Sequence, residues 1–164
     1  DHDIDARGID ISGDRRVHVL GDGLEANPAA GVAGECPADL AEIEYLLDPG
    51  RVEDRDHGIH EGTAILFVPG STAGITTIEF ESGAVNDLKK AIERIAPEDI
   101  YYEHNERWGD GNGHSHVRAA LLGPSLCVPI IESELTLGTW QQIVLADFDN
   151  RPRDRRIIIR ITGE

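Results

Sequence analysis

From Gly62 onward the chain is cut into short apolar runs, each closed by a turn signal. Residues 63–68 (TAILFV) stop at Pro69-Gly70, and residues 75–80 (ITTIEF) follow the small-residue turn GSTAG, 70–74. Residues 125–131 (SLCVPII), 135–137, 139–148 (TWQQIVLADF) and 156–162 (RIIIRIT) repeat the pattern, with Pro129 expected at an edge or bulge and Asp149-Asn150-Arg151-Pro152 as a turn. Runs this short, rich in β-branched residues, predict strands. One segment breaks the series. Val85, Leu88, Ile92 and Ile95 share a helical face over 82–95, with Ser82 as the expected cap and Pro97 as the stop. Two strands, a helix, a polar stretch and three or four further strands predict an α+β fold: a compact single domain with a curled, mainly antiparallel sheet packed with helices.

The first third reads differently. Residues 17–20 (VHVL) suit a short strand, but residues 1–36 hold no sustained period. Leu40, Ile43 and Leu47 recur at helical spacing between Pro37 and Pro49-Gly50, which predicts a helix over 37–47. Residues 51–61 read as a charged loop. Charge follows the same division: residues 1–62 carry −11 of the chain's net −16. Lys89 and Lys90 are the only lysines, so an acidic, arginine-based surface is expected, one that repels nucleic acid and anionic membranes and suits a salt-adapted source. No run approaches the roughly 20 apolar residues of a membrane span. The polar N-terminus carries no export signal, which makes the cytoplasm the expected compartment. Cys36 and Cys127, far apart and in no metal-binding spacing, are expected to be free thiols.

Chemistry concentrates in residues 101–122, YYEHNERWGDGNGHSHVRAALL. Three of the seven histidines lie there, His104, His114 and His116, among Asn105, Asp110 and Asn112. If His114 and His116 lie on a strand they face one side about 7 Å apart; at a helix start they diverge. With His104 and an oxygen from Asp110 or Glu79, they form a candidate site for a divalent metal, zinc or magnesium. The alternative is a polar loop whose histidines make ordinary hydrogen bonds. Ser71 and Thr72 in GSTAG offer hydroxyls to a phosphate, or simply a tight turn with small residues for close packing. Arg118 is a candidate anion binder, and Trp140 either stacks on a ring or belongs to the core.

Three segments together carry a resemblance: residues 67–83 (FVPGSTAGITTIEFESG), 101–130 (YYEHNERWGDGNGHSHVRAALLGPSLCVPI) and 137–163 (LGTWQQIVLADFDNRPRDRRIIIRITG). In order and spacing they resemble the YjbQ-like family, also labelled secondary thiamine-phosphate synthase, in its archaeal form. With the acidic surface, a halophilic archaeon is the expected source. The resemblance implies two parts, a divergent acidic N-terminal segment over 1–50 and a YjbQ-like domain over 51–164. It implies a homotrimer with sites near subunit boundaries. It also implies weak thiamine-phosphate synthase activity, the joining of a pyrimidine diphosphate to a thiazole phosphate with release of pyrophosphate. His104, Asn112 and His116 align with the family's Tyr-x-His-Asn and Asp-Asn-x-x-x-His elements, whereas Gly70 stands where many bacterial members have histidine. On this reading the catalytic residues are His104, His116 and Glu79. The substrate is a small phosphorylated molecule held by Ser71, Thr72, Asn112, Arg118 and Trp140. The metal ligands are His104, His114, His116 and Asp110. Two other readings fit the same residues: a metal-dependent phosphoester hydrolase, and a non-catalytic trimer that binds a metabolite or metal.

Overall fold

A computed structural model describes residues 59–164 in full and, before them, the backbone of three strands: β1 (Gly8–Ile11), β2 (Arg15–Leu20) and β3 (Glu42–Leu47). After these come β4 (Gly62–Phe67), β5 (Ala73–Ile78), α1 (Ser82–Ile95), α2 (Glu103–Trp108) and α3 (Gly113–Leu122). The chain closes with β6 (Ser125–Ile131), β7 (Glu134–Leu135), β8 (Gln142–Asp147) and β9 (Asp154–Gly163). Two sheets result: a curled six-stranded sheet in the order β1-β2-β9-β4-β6-β7 and a three-stranded sheet, β3-β8-β5. Every pairing is antiparallel except β2 with β9. The α+β expectation with a mainly antiparallel, curled sheet holds.

The alternation of β8 explains the layering. Ile143 and Leu145 point one way, into a core shared with Ala64, Leu66, Val128, Ile130, Ile157 and Ile159 of the large sheet. Val144 and Ala146 point the other way and, with Phe148, meet Val85 of α1 and Ala119 of α3. A strand covered on both faces must be apolar throughout, which accounts for the uninterrupted apolar run IVLA at 143–146. Among the described residues no element covers the outer face of the large sheet in the same way: Ile65, Phe67 and Ile158 stay about 40% exposed there.

Local rules placed most elements within two or three residues. Helix α1 spans the predicted residues, but its cap is Glu81 rather than Ser82. The Glu81 carboxylate accepts from the backbone N–H of Gly83 at 2.8 Å and from that of Ala84. Ile95 was expected on the buried face and is 67% exposed instead. The helix is already ending there, and Ile95 rims an open, mainly apolar hollow between α1 and α3, lined by Leu88, Ile92, Arg118, Leu121, Leu122 and Phe148. Pro129 sits where expected: its carbonyl accepts from Thr136 on the side away from β4, so its missing N–H faces no long partner strand.

The larger correction is at 42–47. The helix predicted over 37–47 is replaced by β3, paired with β8 from Glu42↔Asp147 to Leu47↔Ile143. EIEYLL also satisfies a two-residue period, with Ile43, Tyr45 and Leu47 in alternation. The free edge of β8 offers six residues of backbone partners, and tertiary pairing overrides a short helical pattern. Residues 37–41 lie outside the described residues, as do 51–58 of the predicted loop and Cys36. Cys127 is a free, exposed thiol. Residues 8–11 form a strand that the sequence did not announce.

The small residues of GSTAG serve close packing. A Cβ on Gly74 would stand 2.8 Å from the Gly123 carbonyl oxygen and 2.8 Å from Leu122 Cδ2. The absence of a side chain lets β5 run directly beneath the C-terminus of α3, where Ile75 N–H donates to Gly123 O at 3.0 Å. That contact fixes α3, and so the histidines on it, against the three-stranded sheet.

Candidate functional site

The polar stretch expected as a loop is a helical hairpin. Helix α2 ends at Gly109, and α3 starts at Gly113. Gly109 and Gly111 have φ of +69° and +70°, left-handed values that let four residues reverse the chain. The turn is pinned from two sides. Asn105 Oδ1 accepts from Gly113 N–H at 2.8 Å, tying α2 to α3. Asn150, from the β8–β9 turn, donates through Nδ2 to the Asp110 carbonyl at 2.9 Å.

This hairpin gathers four of the expected residues. His104 Nε2 lies 3.4 Å from Asp110 Oδ1, with about a third of each side chain exposed. The His104 and His116 rings lie with centroids 4.3 Å apart, tilted by 49°. Asn112 is 4% exposed and sits against the same pair. Its amide oxygen faces acceptors; turned end for end, the amide places nitrogen 3.0 and 3.2 Å from the two Asp110 carboxylate oxygens and 3.2 Å from His104 Nε2.

His114 does not join them. It is 2% exposed, within 3.2 Å of Ser115 Oγ through Nε2, with its ring 6.3 Å from that of Tyr102. Ser115 gives its one hydroxyl proton to the Phe148 carbonyl at 2.5 Å, so the proton between Ser115 and His114 belongs to Nε2. His114 Nδ1 is then a buried acceptor with no partner. Burial, and after it the charge of Arg118, hold this imidazole below its usual pKa and keep it neutral. The expected quartet of His104, Asp110, His114 and His116 is therefore not assembled. Among the described residues no group of three or more His, Cys, Asp or Glu side chains is gathered to hold a metal ion. The reason is the helix: side chains two apart on α3 diverge, and the inner one goes to the core.

Arg118 is a structural staple. It is 3% exposed; its Nε donates to the Ala96 carbonyl at 2.9 Å and its Nη2 pairs with Glu93, joining α3 to the end of α1. Thr72 is likewise committed. Its hydroxyl donates to Asp149 Oδ2 at 2.9 Å and accepts from Arg155 Nη2 at 2.9 Å. Arg155 in turn forks onto Asp147, with Nε to Oδ2 at 2.8 Å and Nη2 to Oδ1 at 2.5 Å. Ser71 is exposed at the same end of the fold. Glu79 and Trp140 are exposed at the opposite end, beyond the Ile78↔Gln142 pairing, whereas Asn150 and the hairpin lie beyond Asp147. One chain does not bring those two residues to His104.

The sequence missed how the site is held: by Asn105 and Asn150, and by the Asp147–Arg155–Thr72–Asp149–Arg153 network, most of it buried. The alternation of acids and arginines in residues 147–156 (DFDNRPRDRR) was the available signal, since charges next to an apolar strand must be paired if buried. Asn105 stood out only as part of the polar stretch and Asn150 only as part of a turn; nothing local gave either the role of pinning the hairpin.

The fold defines a class first: an α+β protein whose curled sheet supports a helical hairpin. The profile of the "UPF0047 protein YjbQ-like" family matches residues 51–164. The chain belongs to that family. It is 41% identical over 107 residues to a UPF0047 protein of Methanothermobacter thermautotrophicus, covering 65% of this chain and 73% of that one. It is 36% identical over 123 residues to the UPF0047 protein YugU of Bacillus subtilis, covering 74% and 85%. Among solved structures it is similar to a protein of unknown function from Sulfolobus solfataricus, with TM-score 0.68, 35% identity and coverage of 76% and 88%. A protein of the same family from Clostridium acetobutylicum gives TM-score 0.63 at 32% identity, covering 74% and 92%. No helix among the described residues is long and apolar enough to cross a membrane.

Proposed function

We propose that the α2–α3 hairpin is the active site of a transferase of the thiamine-phosphate synthase type, acting on small phosphorylated substrates. The observation that carries this reading is the pairing of a partly exposed His104 with Asp110, beside His116 and at a turn pinned by Asn105 and Asn150. A carboxylate next to an imidazole holds the ring in one orientation. In the reaction the bond between the pyrimidine methylene carbon and the diphosphate oxygen breaks, and pyrophosphate leaves with the electron pair. The lone pair of the thiazole nitrogen forms the new carbon–nitrogen bond. His104, held by Asp110, supplies a proton or hydrogen bond to the departing oxygen, and His116 serves its outer phosphate. Glu79, Arg118 and Trp140 take no part within one chain, and Thr72 acts by holding Asp149 rather than phosphate.

The test is product formation from the two phosphorylated substrates by the purified protein, beside the His104→Ala/His116→Ala double variant. Loss of product in the variant is expected; equal traces in both overturn the assignment. Release of inorganic phosphate from simple phosphate esters, with no coupling of the two rings, would replace it with the hydrolase reading, because an Asp–His pair also activates water. Tight binding without turnover would leave a metabolite-binding protein. The exposed apolar side chains on the outer face of the large sheet, with Phe67 beside Ile158 and Ile65 beside Cys127, support self-association, and we propose the homotrimer. Light scattering at micromolar concentration should return three times the chain mass of 17.9 kDa.

A further inference from the structure

Asn112 is 4% exposed, so both ends of its amide need partners of the right kind. The neighbours settle which end faces which way. One end meets only acceptors: the Asp110 carboxylate oxygens at 3.0 and 3.2 Å, and His104 Nε2 at 3.2 Å. The other end meets only donors. The amide nitrogen therefore belongs against Asp110 and His104, and the amide oxygen on the far side. An amide nitrogen carries two hydrogens. One serves the Asp110 carboxylate, and the other is donated to His104 Nε2.

A ring nitrogen that accepts a hydrogen bond carries no proton. A proton on Nε2 would set donor against donor, 3.2 Å from the Asn112 amide nitrogen. It would leave Asp110 Oδ1 as the acceptor, at 3.4 Å. That is longer than the about 2.7–2.9 Å of a charge-assisted N–H···O bond, whereas the Asn112 distances are ordinary for an amide donor. A neutral imidazole has one N–H, so the proton of His104 sits on Nδ1. Among the described residues no acceptor meets that nitrogen, and the one buried side-chain atom without a partner is His114 Nδ1. The His104 side chain is 32% exposed, so its Nδ1–H opens to solvent. We propose that Asn112 is a positioning residue that locks His104 in the Nδ1–H tautomer, so that His104 presents a ligand with a hydrogen-bond donor.

The family resemblance offers Asn112 as a substrate contact; its burial and its two donor bonds give it this other task. Asp110 then acts on the ring at one remove, since its carboxylate holds the amide that holds the ring. Both flanks of Asn112 are fixed, the Asp110 carbonyl by Asn150 and the Gly113 N–H by Asn105. The tautomer also narrows the chemistry. Loss of the Nδ1 proton would leave an imidazolate, so His104 keeps it and lends a hydrogen bond. The matching ligand atom is an acceptor oxygen, as in phosphate or diphosphate. In the proposed reaction that oxygen takes the electron pair of the broken carbon–oxygen bond, and no proton passes to it from His104. Naming the oxygen as a diphosphate's rests on the synthase reading; the tautomer rests on geometry alone.

Nitrogen NMR of the isotope-labelled full chain reads the tautomer directly, without substrate, at a pH well above the ordinary histidine value of about 6.5. Long-range proton–nitrogen correlations tell a hydrogen-bearing ring nitrogen from a bare one. His104 is expected to bear hydrogen at Nδ1 and none at Nε2. In Asn112→Ala only the acceptor Asp110 is left beside Nε2, so His104 should change to the Nε2–H form while the exposed His60 keeps its pattern. An Nε2–H His104 in the parent, or an unchanged Nδ1–H form in the folded variant, overturns the proposal. The parent spectrum decides the matter even if the variant does not fold. Inorganic pyrophosphate is then titrated into both proteins. A saturating shift of the His104 Nδ1 resonance is expected in the parent, with binding about tenfold weaker in Asn112→Ala, the size of one lost hydrogen bond to a charged group. An Nδ1–H His104 that ignores pyrophosphate upholds the positioning role and counts against the synthase reading. An Nε2–H His104 that responds to it overturns the tautomer and leaves the synthase reading standing.

Discussion

Single residues in this protein divide by what they are tied to. Arg118 looks like an anion binder in the sequence and is a brace in the structure, spending its donors on Ala96 and Glu93. Arg118→Leu should therefore cost about 1–3 kcal/mol in urea unfolding, through the unpaired Ala96 carbonyl and Glu93, yet leave product formation by the folded protein unchanged. A loss of product with stability unchanged would restore the anion-binding role. Asp149 gives a pH prediction. Burial by itself would raise its pKa, but hydrogen bonds from Arg153 and Thr72, with the Arg153 charge, outweigh that and hold the carboxyl below the usual carboxylate range. A group depressed in the folded state stabilises it above the unfolded pKa, near 4, and loses that contribution as pH falls through the folded value. Thermal melts from pH 6 to pH 2 should show a fall that is shallower in Thr72→Val and Arg153→Gln, which raise the folded pKa back toward the unfolded one.

At the scale of elements, β8 is the member on which the layers depend. Leu145 is fully buried toward the sandwich core and Val144 toward the helices. Leu145→Ala should cost about 2–5 kcal/mol, read by denaturant midpoint. The helix cap is a milder test. Glu81→Ala removes the acceptor for two backbone donors of α1 and should cost about 1 kcal/mol, whereas Ser82→Ala should cost much less because the cap falls one residue earlier. Both helix and strand assignments after Gly62 were legible because each element carried its own period and its own stop signal. The helical hairpin was less so: EHNERW is a six-residue helix with no apolar stripe, and it forms because the pinned turn and α3 hold it. At 42–47 the sequence satisfied two periods at once, and only the vacant edge of β8 chose between them.

For the whole molecule the net charge of −16 sets the terms. Repulsion among surface acids disfavours the folded state, and salt shortens its range from about 10 Å at 0.1 M to about 3 Å at 1 M. The melting temperature should rise between those two concentrations of potassium chloride, by about 2–4 °C for each kcal/mol of repulsion screened. A fall would mean that exposed ion pairs contribute more than repulsion costs.

The sequence by itself determined the class of fold, most element positions, the stretch that carries the chemistry and, through three matching segments, the family. Those properties are local: strand and helix periods, proline and glycine stops, and motif spacing are written along the chain. What the tertiary structure decided is which side chains meet. It sent His114 inward because a helix separates side chains two apart, and it left Glu79 and Trp140 at the far end because β5 and β8 run antiparallel for six residues. It brought Asn112, His104 and Asp110 into one triangle because two asparagines, one from α2 and one from the β8–β9 turn, hold four residues of backbone in place. Spacing in sequence names the candidates; the direction of each side chain, which only packing fixes, selects among them.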